Sequence, residues 1–239
     1  MAFVPVQLKH DNEIQSLNEK LKSLDIEYLN IDGILKIDDS PYLIVGKEKS
    51  GKSTLLNKIA EEYKIKTYYF STNQENINKY NKYSNIVVKE LNFENLNNIW
   101  NDIKKSEKTN DKNILLIDNI DEAMMKIKSD DIKIKCEIDK ENEISIKKAF
   151  DMLLLDIFAK ARRYHTLLCM CVKMWQTIDV KHLLKNFIIM DEHSALELKH
   201  MLSVGNIETK NKINEIFKSL NNYPFNPVII KDNKIFITN

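Results

Sequence analysis

Four apolar residues in unbroken succession, Tyr42-Leu43-Ile44-Val45, open a region where short apolar runs alternate with stretches of helical periodicity. An uninterrupted run of this length, bounded by turn-forming residues, marks a strand buried on both faces. Similar runs recur at Lys66 to Phe70, Asn85 to Val88, Asn113 to Ile117, Thr166 to Val172 and Phe187 to Met190. Between them, apolar positions three and four apart predict helices over 52–64, 75–82, 93–105 and about 145–163. In the last of these, Phe150, Leu153, Leu154, Ile157 and Phe158 form the core-facing stripe. Strands alternating with helices imply an α/β fold, with a mostly parallel central sheet and helices on both faces.

The flanks read differently. Residues 1–40 carry a polar helical pattern over 13–24 and strand-like alternation over 26–37 around Gly33, which predicts an N-terminal appendage ending at Pro41. Residues 41–239 form the main domain in this reading, with shorter helices near 180–184, 195–202 and 209–220. Two β-rich runs around Asp232-Asn233 near the end of the sequence predict a C-terminal β-hairpin. The stretch 124–144 is rich in Lys, Asp and Glu and poor in large apolar residues, the pattern of a solvated insertion or loop.

Composition narrows the classes of function. With 43% hydrophobic residues the chain can bury a substantial core. Thirty-six basic residues against 35 acidic ones leave a formal charge of +1, so any contact with nucleic acid has to be local. Arginine occurs only at Arg162 and Arg163, so an arginine finger can come from nowhere else. The three cysteines have no metal-ligand spacing with histidine, and the pattern fits reduced thiols. No signal peptide or membrane-spanning run is recognisable, and a soluble intracellular protein without membrane contact is expected.

Chemistry enters at Gly46-Lys47-Glu48-Lys49-Ser50-Gly51-Lys52-Ser53, which holds two of the four glycines in the chain. The form G-x-x-x-x-G-K-[ST], after an apolar strand and before a helix, is a P-loop, or Walker A motif. Its backbone N–H groups can converge on phosphate oxygens only where the chain wraps tightly, and glycine permits that. The following helix turns its positive end to the anion. Lys52 is expected to neutralise the β- and γ-phosphates of ATP, Ser53 to ligate Mg²⁺, and Thr54 to follow in the helix. Ile114-Leu115-Leu116-Ile117-Asp118 has the Walker B form, with Asp118 emerging beside the phosphates to hold the Mg²⁺.

Hydrolysis also needs a carboxylate to orient the attacking water. Asn119 occupies the position directly after Asp118, which leaves Asp121 and Glu122 as candidates; both equally suit an acidic pair at a helix N-terminus. The strand Thr166 to Val172 leads into Lys173-Met174-Trp175-Gln176, where Lys173 or Gln176 would sense the γ-phosphate if this is an additional-strand ATPase, and where a solvent-facing lysine at a strand end is an equal reading. Arg162 and Arg163 either cap the preceding helix or reach the nucleotide of a neighbouring subunit. Trp100 reads as core rather than as a base-stacking platform.

The order of these features resembles the poxvirus-type genome-packaging ATPases of large DNA viruses and virophages, within the FtsK/HerA superfamily of P-loop NTPases. The resemblance is carried by the P-loop at 46–53, Lys66-Thr-Tyr-Tyr-Phe-Ser-Thr72, Leu115-Leu-Ile-Asp118, Arg162-Arg163-Tyr164-His165, and Pro224-Phe225 before the final hairpin. It implies a RecA/FtsK-like additional-strand core acting as a homo-oligomeric ring, six subunits being the expected number. ATP would sit between neighbours, and hydrolysis would drive double-stranded DNA into a capsid, in host cytoplasm or virion, with capsid protein as a further partner. The 120s to 140s insertion is then the candidate pore loop. The sequence departs from that pattern at Asn119, where the family pairs two acids, at Lys173, where it has a glutamine, and at Lys185, where it has an arginine.

Three other readings compete. An AAA+ or RecA-like ATPase that remodels nucleoprotein also suits Leu115-Leu-Ile-Asp-Asn-Ile-Asp-Glu122, but the sequence has no arginine beyond Arg163 for a helical lid and ends in a predicted hairpin. Asn119 and Lys173 also suit a nucleotide-binding scaffold with weakened hydrolysis. A small-molecule kinase would need lid arginines, whereas both arginines here precede a core strand.

Overall fold

A computed structural model of the chain describes residues 27–28, 35–37, 39–105, 110–127, 133–136, 139–173, 185–191, 194, 215–216, 227–231 and 234–237. The helices expected over 13–24, 180–184, 195–202 and most of 209–220 lie outside these residues, as do Gln176 and Pro224-Phe225.

The strands are β1 (Glu27–Tyr28), β2 (Tyr42–Val45), β3 (Lys66–Ser71), β4 (Ile86–Glu90), β5 (Asn113–Ile117), β6 (Lys133–Cys136), β7 (Asp139–Ser145), β8 (Thr166–Val172), β9 (Asn186–Ile189), β10 (Val228–Lys231) and β11 (Lys234–Ile237). The helices are α1 (Lys52–Glu62), α2 (Gln74–Tyr80), α3 (Phe93–Lys105), α4 (Ile120–Lys126) and α5 (Ile146–Lys160), followed by a 3₁₀ turn, Ala161–Tyr164.

Nine strands form one sheet in the order β1-β11-β10-β9-β2-β8-β5-β3-β4. From β9 to β4 every neighbouring pair is parallel; β10 runs antiparallel to both β9 and β11, and β1 pairs parallel with β11. The tail is therefore a hairpin, as its sequence predicts, and it widens the sheet beyond β9. β8 lies between β2 and β5, which makes this an additional-strand core.

β2, β5, β8 and β9 are buried along their whole length, because helices cover both faces. Leu115 and Ile117 face a cluster that contains Leu96 and Trp100 of α3 and Phe150, Leu153 and Leu154 of α5. Ile114 and Leu116 face the opposite cluster, with Leu55, Leu56 and Ile59 of α1 and Tyr80 of α2. The Ser145 side chain caps α5 by accepting from the Lys148 N–H at 3.3 Å, so that helix begins where the alternating pattern gives way to helical spacing. Trp100 is fully buried, and its Nε1 donates to Asp156 Oδ2 at 2.7 Å, so it is a core residue with a satisfied donor. The charged stretch after α4 is expected from its sequence to be a solvated insertion or loop. Its described part is a two-stranded antiparallel hairpin, β6–β7, separate from the main sheet, with a register irregularity between Ile134 and Cys136.

Candidate nucleotide-binding site

The parallel strands bring their carboxyl ends to one edge of the sheet. Val45 is in register with Val172 of β8 and with Ile189 of β9, so the loop after β2 emerges between the ends of both neighbours. Backbone bonds extend both pairings, from Gly46 N–H to Val172 O at 3.3 Å and from Met190 N–H to Val45 O at 2.9 Å.

At Gly46 the neighbours press close. A Cβ there would lie 2.3 Å from Ser50 Oγ, 2.7 Å from Met190 Cβ and 3.2 Å from Asp191 Oδ2. Gly51 adopts φ 94° directly before α1, and Lys49 also lies in the left-handed region at φ 63°, so the loop reverses sharply into the helix. Lys47, Glu48 and Lys49 are exposed, Ser50 is buried, and Thr54 is exposed on α1. Ser50 Oγ is a buried hydroxyl without a hydrogen-bond partner in a loop whose shape suits an anion. The residues present therefore fit a bound phosphate chain.

Lys52 Nζ donates to the carbonyls of Gly46, at 2.5 Å, and Lys47, at 2.8 Å, which leaves one of its three protons for another acceptor. Desolvation lowers its pKa below the usual lysine value, although Asp118 and Asp191 nearby favour the charged form. Ser53 Oγ donates to Asp118 Oδ1 at 3.1 Å, and Asp118 is fully buried. Its other oxygen accepts from Asn76 Nδ2 at 3.3 Å and from the Tyr69 hydroxyl at 3.5 Å. Desolvation raises the Asp118 pKa, offset in part by the Ser53 hydrogen bond and the Lys52 charge. A carboxylate in that position gains from a cation. Among the described residues no group of three His, Cys, Asp or Glu forms a metal cage, so a cation here would share its shell with phosphate oxygens and water, as Mg²⁺ commonly does.

Asn119 takes the left-handed conformation, φ 56°, and its carbonyl accepts the first bonds of α4 from Glu122 and Ala123. Asparagine tolerates that geometry. The turn sends the two candidate acids to different surroundings. Asp121 is 1% exposed, and its Oδ2 accepts the Lys173 N–H at 2.5 Å, tying α4 to the end of β8. The Glu122 side chain is 41% exposed; it accepts from Thr72 Oγ1 at 2.8 Å and pairs with Lys126 at 3.0 Å. The Thr72 and Lys126 hydrogen bonds hold the Glu122 carboxyl below its usual range. The Lys173 charge is felt by both carboxylate and lysine, favouring the ionised form of Glu122 and disfavouring the charged form of Lys52.

Arg162 and Arg163 do not join this cluster. They sit on the 3₁₀ turn before Thr166, at the amino end of β8, with Arg163 stacked over the Tyr164 ring at 5.7 Å. Val172 is at the other end of that seven-residue strand, about 20 Å away at roughly 3.3 Å per residue. They are out of reach of the phosphate loop of the same chain.

Several residues at the site are missed by sequence reasoning. Asp191 accepts the Lys47 N–H at 2.8 Å. Ile188-Ile189-Met190-Asp191 repeats the apolar-run-then-acid form of the Walker B strand, and that signal could have found it. Asn76, Tyr69 and Thr72 carry no comparable signal, because their roles depend on where α2 and β3 pack.

Comparison with solved structures finds the genome packaging NTPase B204 from Sulfolobus turreted icosahedral virus 2 in complex with sulfate, at TM-score 0.51 and 17% identity, covering 84% of this chain and 96% of that one. The same NTPase in complex with ATP-gammaS aligns at TM-score 0.49, with the same identity and coverage. The cytoplasmic domain of EssC aligns at TM-score 0.45 and 17% identity, covering 68% of this chain and 34% of that one. The likeness to the sulfate complex is one of fold. Among curated proteins no significant match is found. A family model matches residues 42–179, more than half of the chain, from the strand before the phosphate loop past the end of β8 at Val172. With a P-loop, a buried acid beside it and β8 between the two strands that carry them, the chain is a P-loop ATPase and belongs to the AAA family, the ATPase family associated with various cellular activities.

Proposed function

We propose that this chain is the ATP-driven motor of a genome-packaging machine, a homo-oligomeric ring that moves viral double-stranded DNA into a capsid. The observation that carries the ATPase half is the convergence of Lys52, Ser53 and Asp118 at one end of the sheet. The fold shared with a viral packaging NTPase over 84% of the chain supports the packaging half.

In this reading the backbone of residues 46–53, with Lys52 and the Ser50 hydroxyl, holds the β- and γ-phosphates of ATP. Ser53 and Asp118 would hold Mg²⁺, which supplies charge neutralisation at the phosphoryl oxygens. Glu122 orients the attacking water. It is partly exposed and ionised, and a carboxylate held below its usual range positions a water better than it removes a proton from it. Asp121 holds the Lys173 backbone in place. Lys173 then supplies a second cation beside Lys52 at the γ-phosphate, while Arg162 and Arg163 serve only a neighbouring subunit. The β6–β7 hairpin, built from the charged insertion, is the element proposed to touch DNA phosphates, a contact that needs no sequence readout.

The test is steady-state ATP hydrolysis with and without double-stranded DNA, with oligomer size recorded in the same samples, for wild type, Lys52→Ala and Glu122→Gln. DNA-stimulated turnover in a ring, lost in Lys52→Ala and reduced at least about 100-fold in Glu122→Gln, is the expected result. Tight ATP binding without turnover in any assembly would replace the motor with a nucleotide-gated scaffold.

A further inference from the structure

We infer that Asp191 is a positioning residue for the phosphate loop, holding in place the peptide that anchors Lys52. The inference rests on the nucleotide-binding reading of that loop.

β9 pairs with β2, and the Met190 N–H to Val45 O bond, at 2.9 Å, carries the pairing one residue past the end of β9. Asp191 is thereby delivered beside the start of the loop. Its Oδ2 accepts the Lys47 N–H at 2.8 Å and the Ser194 hydroxyl at 3.0 Å, and its Oδ1 accepts the Ser194 N–H at 2.9 Å. Ser194 is itself buried. The carboxylate thus has one strong contact on the loop and two that fix its own orientation. Lys47 faces both ways, since its N–H goes to Asp191 and its carbonyl accepts from Lys52 Nζ at 2.8 Å. A continuous chain of contacts runs from the end of β9 through Lys47 to the lysine that meets phosphate. The carboxylate charge also favours the protonated form of Lys52.

The experiment is ATP affinity of the full chain, read with a fluorescent ATP analogue and unlabelled ATP as competitor, for wild type, Asp191→Ala, Asp191→Asn, Ser194→Ala and Lys52→Ala. Melting temperature without nucleotide is followed in parallel. Asp191→Ala is expected to weaken binding about tenfold, the effect of losing one hydrogen bond to a charged group. Asp191→Asn keeps an acceptor oxygen for Lys47 and should recover most of that loss, and Ser194→Ala should weaken binding about twofold to threefold through the same carboxylate. Wild-type affinity in Asp191→Ala, alongside lost binding in Lys52→Ala, overturns the inference and leaves the nucleotide-binding reading standing. Equal losses in the alanine and asparagine variants, in step with melting temperature, reduce Asp191 to a fold contact and overturn it too. If wild type binds no ATP, both readings fall.

Discussion

Gly46→Ala tests whether the phosphate loop is packed as tightly as the geometry requires. The added methyl would meet three atoms, at 2.3, 2.7 and 3.2 Å, and they differ in their freedom to yield. Ser50 Oγ can rotate away about one torsion, and it gives up no hydrogen bond by doing so. Asp191 Oδ2 needs only a few tenths of an ångström, although its bond to Lys47 would lengthen. Met190 Cβ has no such freedom. It is fixed to a backbone whose N–H is bonded to Val45 O at 2.9 Å, at the end of a strand flanked by β2 and β10. Either the end of β9 or the loop has to move. Overpacking of this kind costs about 1–3 kcal/mol, and at about 2–4 °C per kcal/mol for a domain of this size the melting temperature should fall by about 2–12 °C. ATP affinity should fall with it, because the displaced loop carries the phosphate-binding amides. Thermal unfolding followed by circular dichroism, paired with ATP titration, is the assay. A melting point within about 1 °C of wild type with unchanged affinity would refute the reasoning, since it would mean that β9 does not press on Gly46.

Two further outcomes concern carboxylates, Asp118 buried and Asp156 half-buried, whose pKa values shift in opposite directions. Asp118 has its pKa raised by burial, so its ionised form costs native stability above the unfolded value of about 3.9. Asp118→Asn should therefore raise the nucleotide-free melting temperature at pH 7 while lowering turnover at least about 100-fold; a lower melting point would contradict the burial argument. At Asp156 burial also pushes upward, but hydrogen bonds from Lys160 and Trp100 outweigh it and leave the carboxyl below its usual range. A depressed folded pKa contributes stability above the unfolded value and loses it as pH falls through the folded one. Trp100→Phe should thus cost about 1.5–3 kcal/mol at neutral pH, with the gap to wild type narrowing below about pH 4 in denaturant titrations.

The parts of this architecture that the sequence discloses are those governed by local pattern. Asn113–Ile117 and Thr166–Val172 are legible residue for residue because strands buried on both faces are continuous apolar runs. The phosphate loop is legible because few sequences bend that way. The features that stay hidden depend on pairing across the fold. The alternation Lys133-Ile-Lys-Cys136 is a strand pattern, but the surrounding charges mask it until β7 supplies a partner. Asp191 reaches Lys47 across 144 residues, a contact set by the position of β9 beside β2. The separate fates of Asp121 and Glu122 depend on the left-handed turn at Asn119, and adjacent acids look alike until a backbone angle parts them.

The full burial of β5 bears on how the chain finds its own alignment. Where one face of a strand is wet, alternation fixes the register, because a slip by one residue would drive polar side chains inward. β5 has no such alternation: Ile114, Leu115, Leu116 and Ile117 are all buried, and a slip would merely exchange one apolar face for the other. The discriminating residues are at its ends, Asn113 at the start and Asp118 just beyond the finish. Sliding one step would drag a carboxylate between hydrophobic layers, at a cost of several kcal/mol. The acid proposed to hold the cation would thus also serve as the stop against which the strand seats during folding, so its replacement by an apolar residue would threaten the alignment of the sheet as well as turnover.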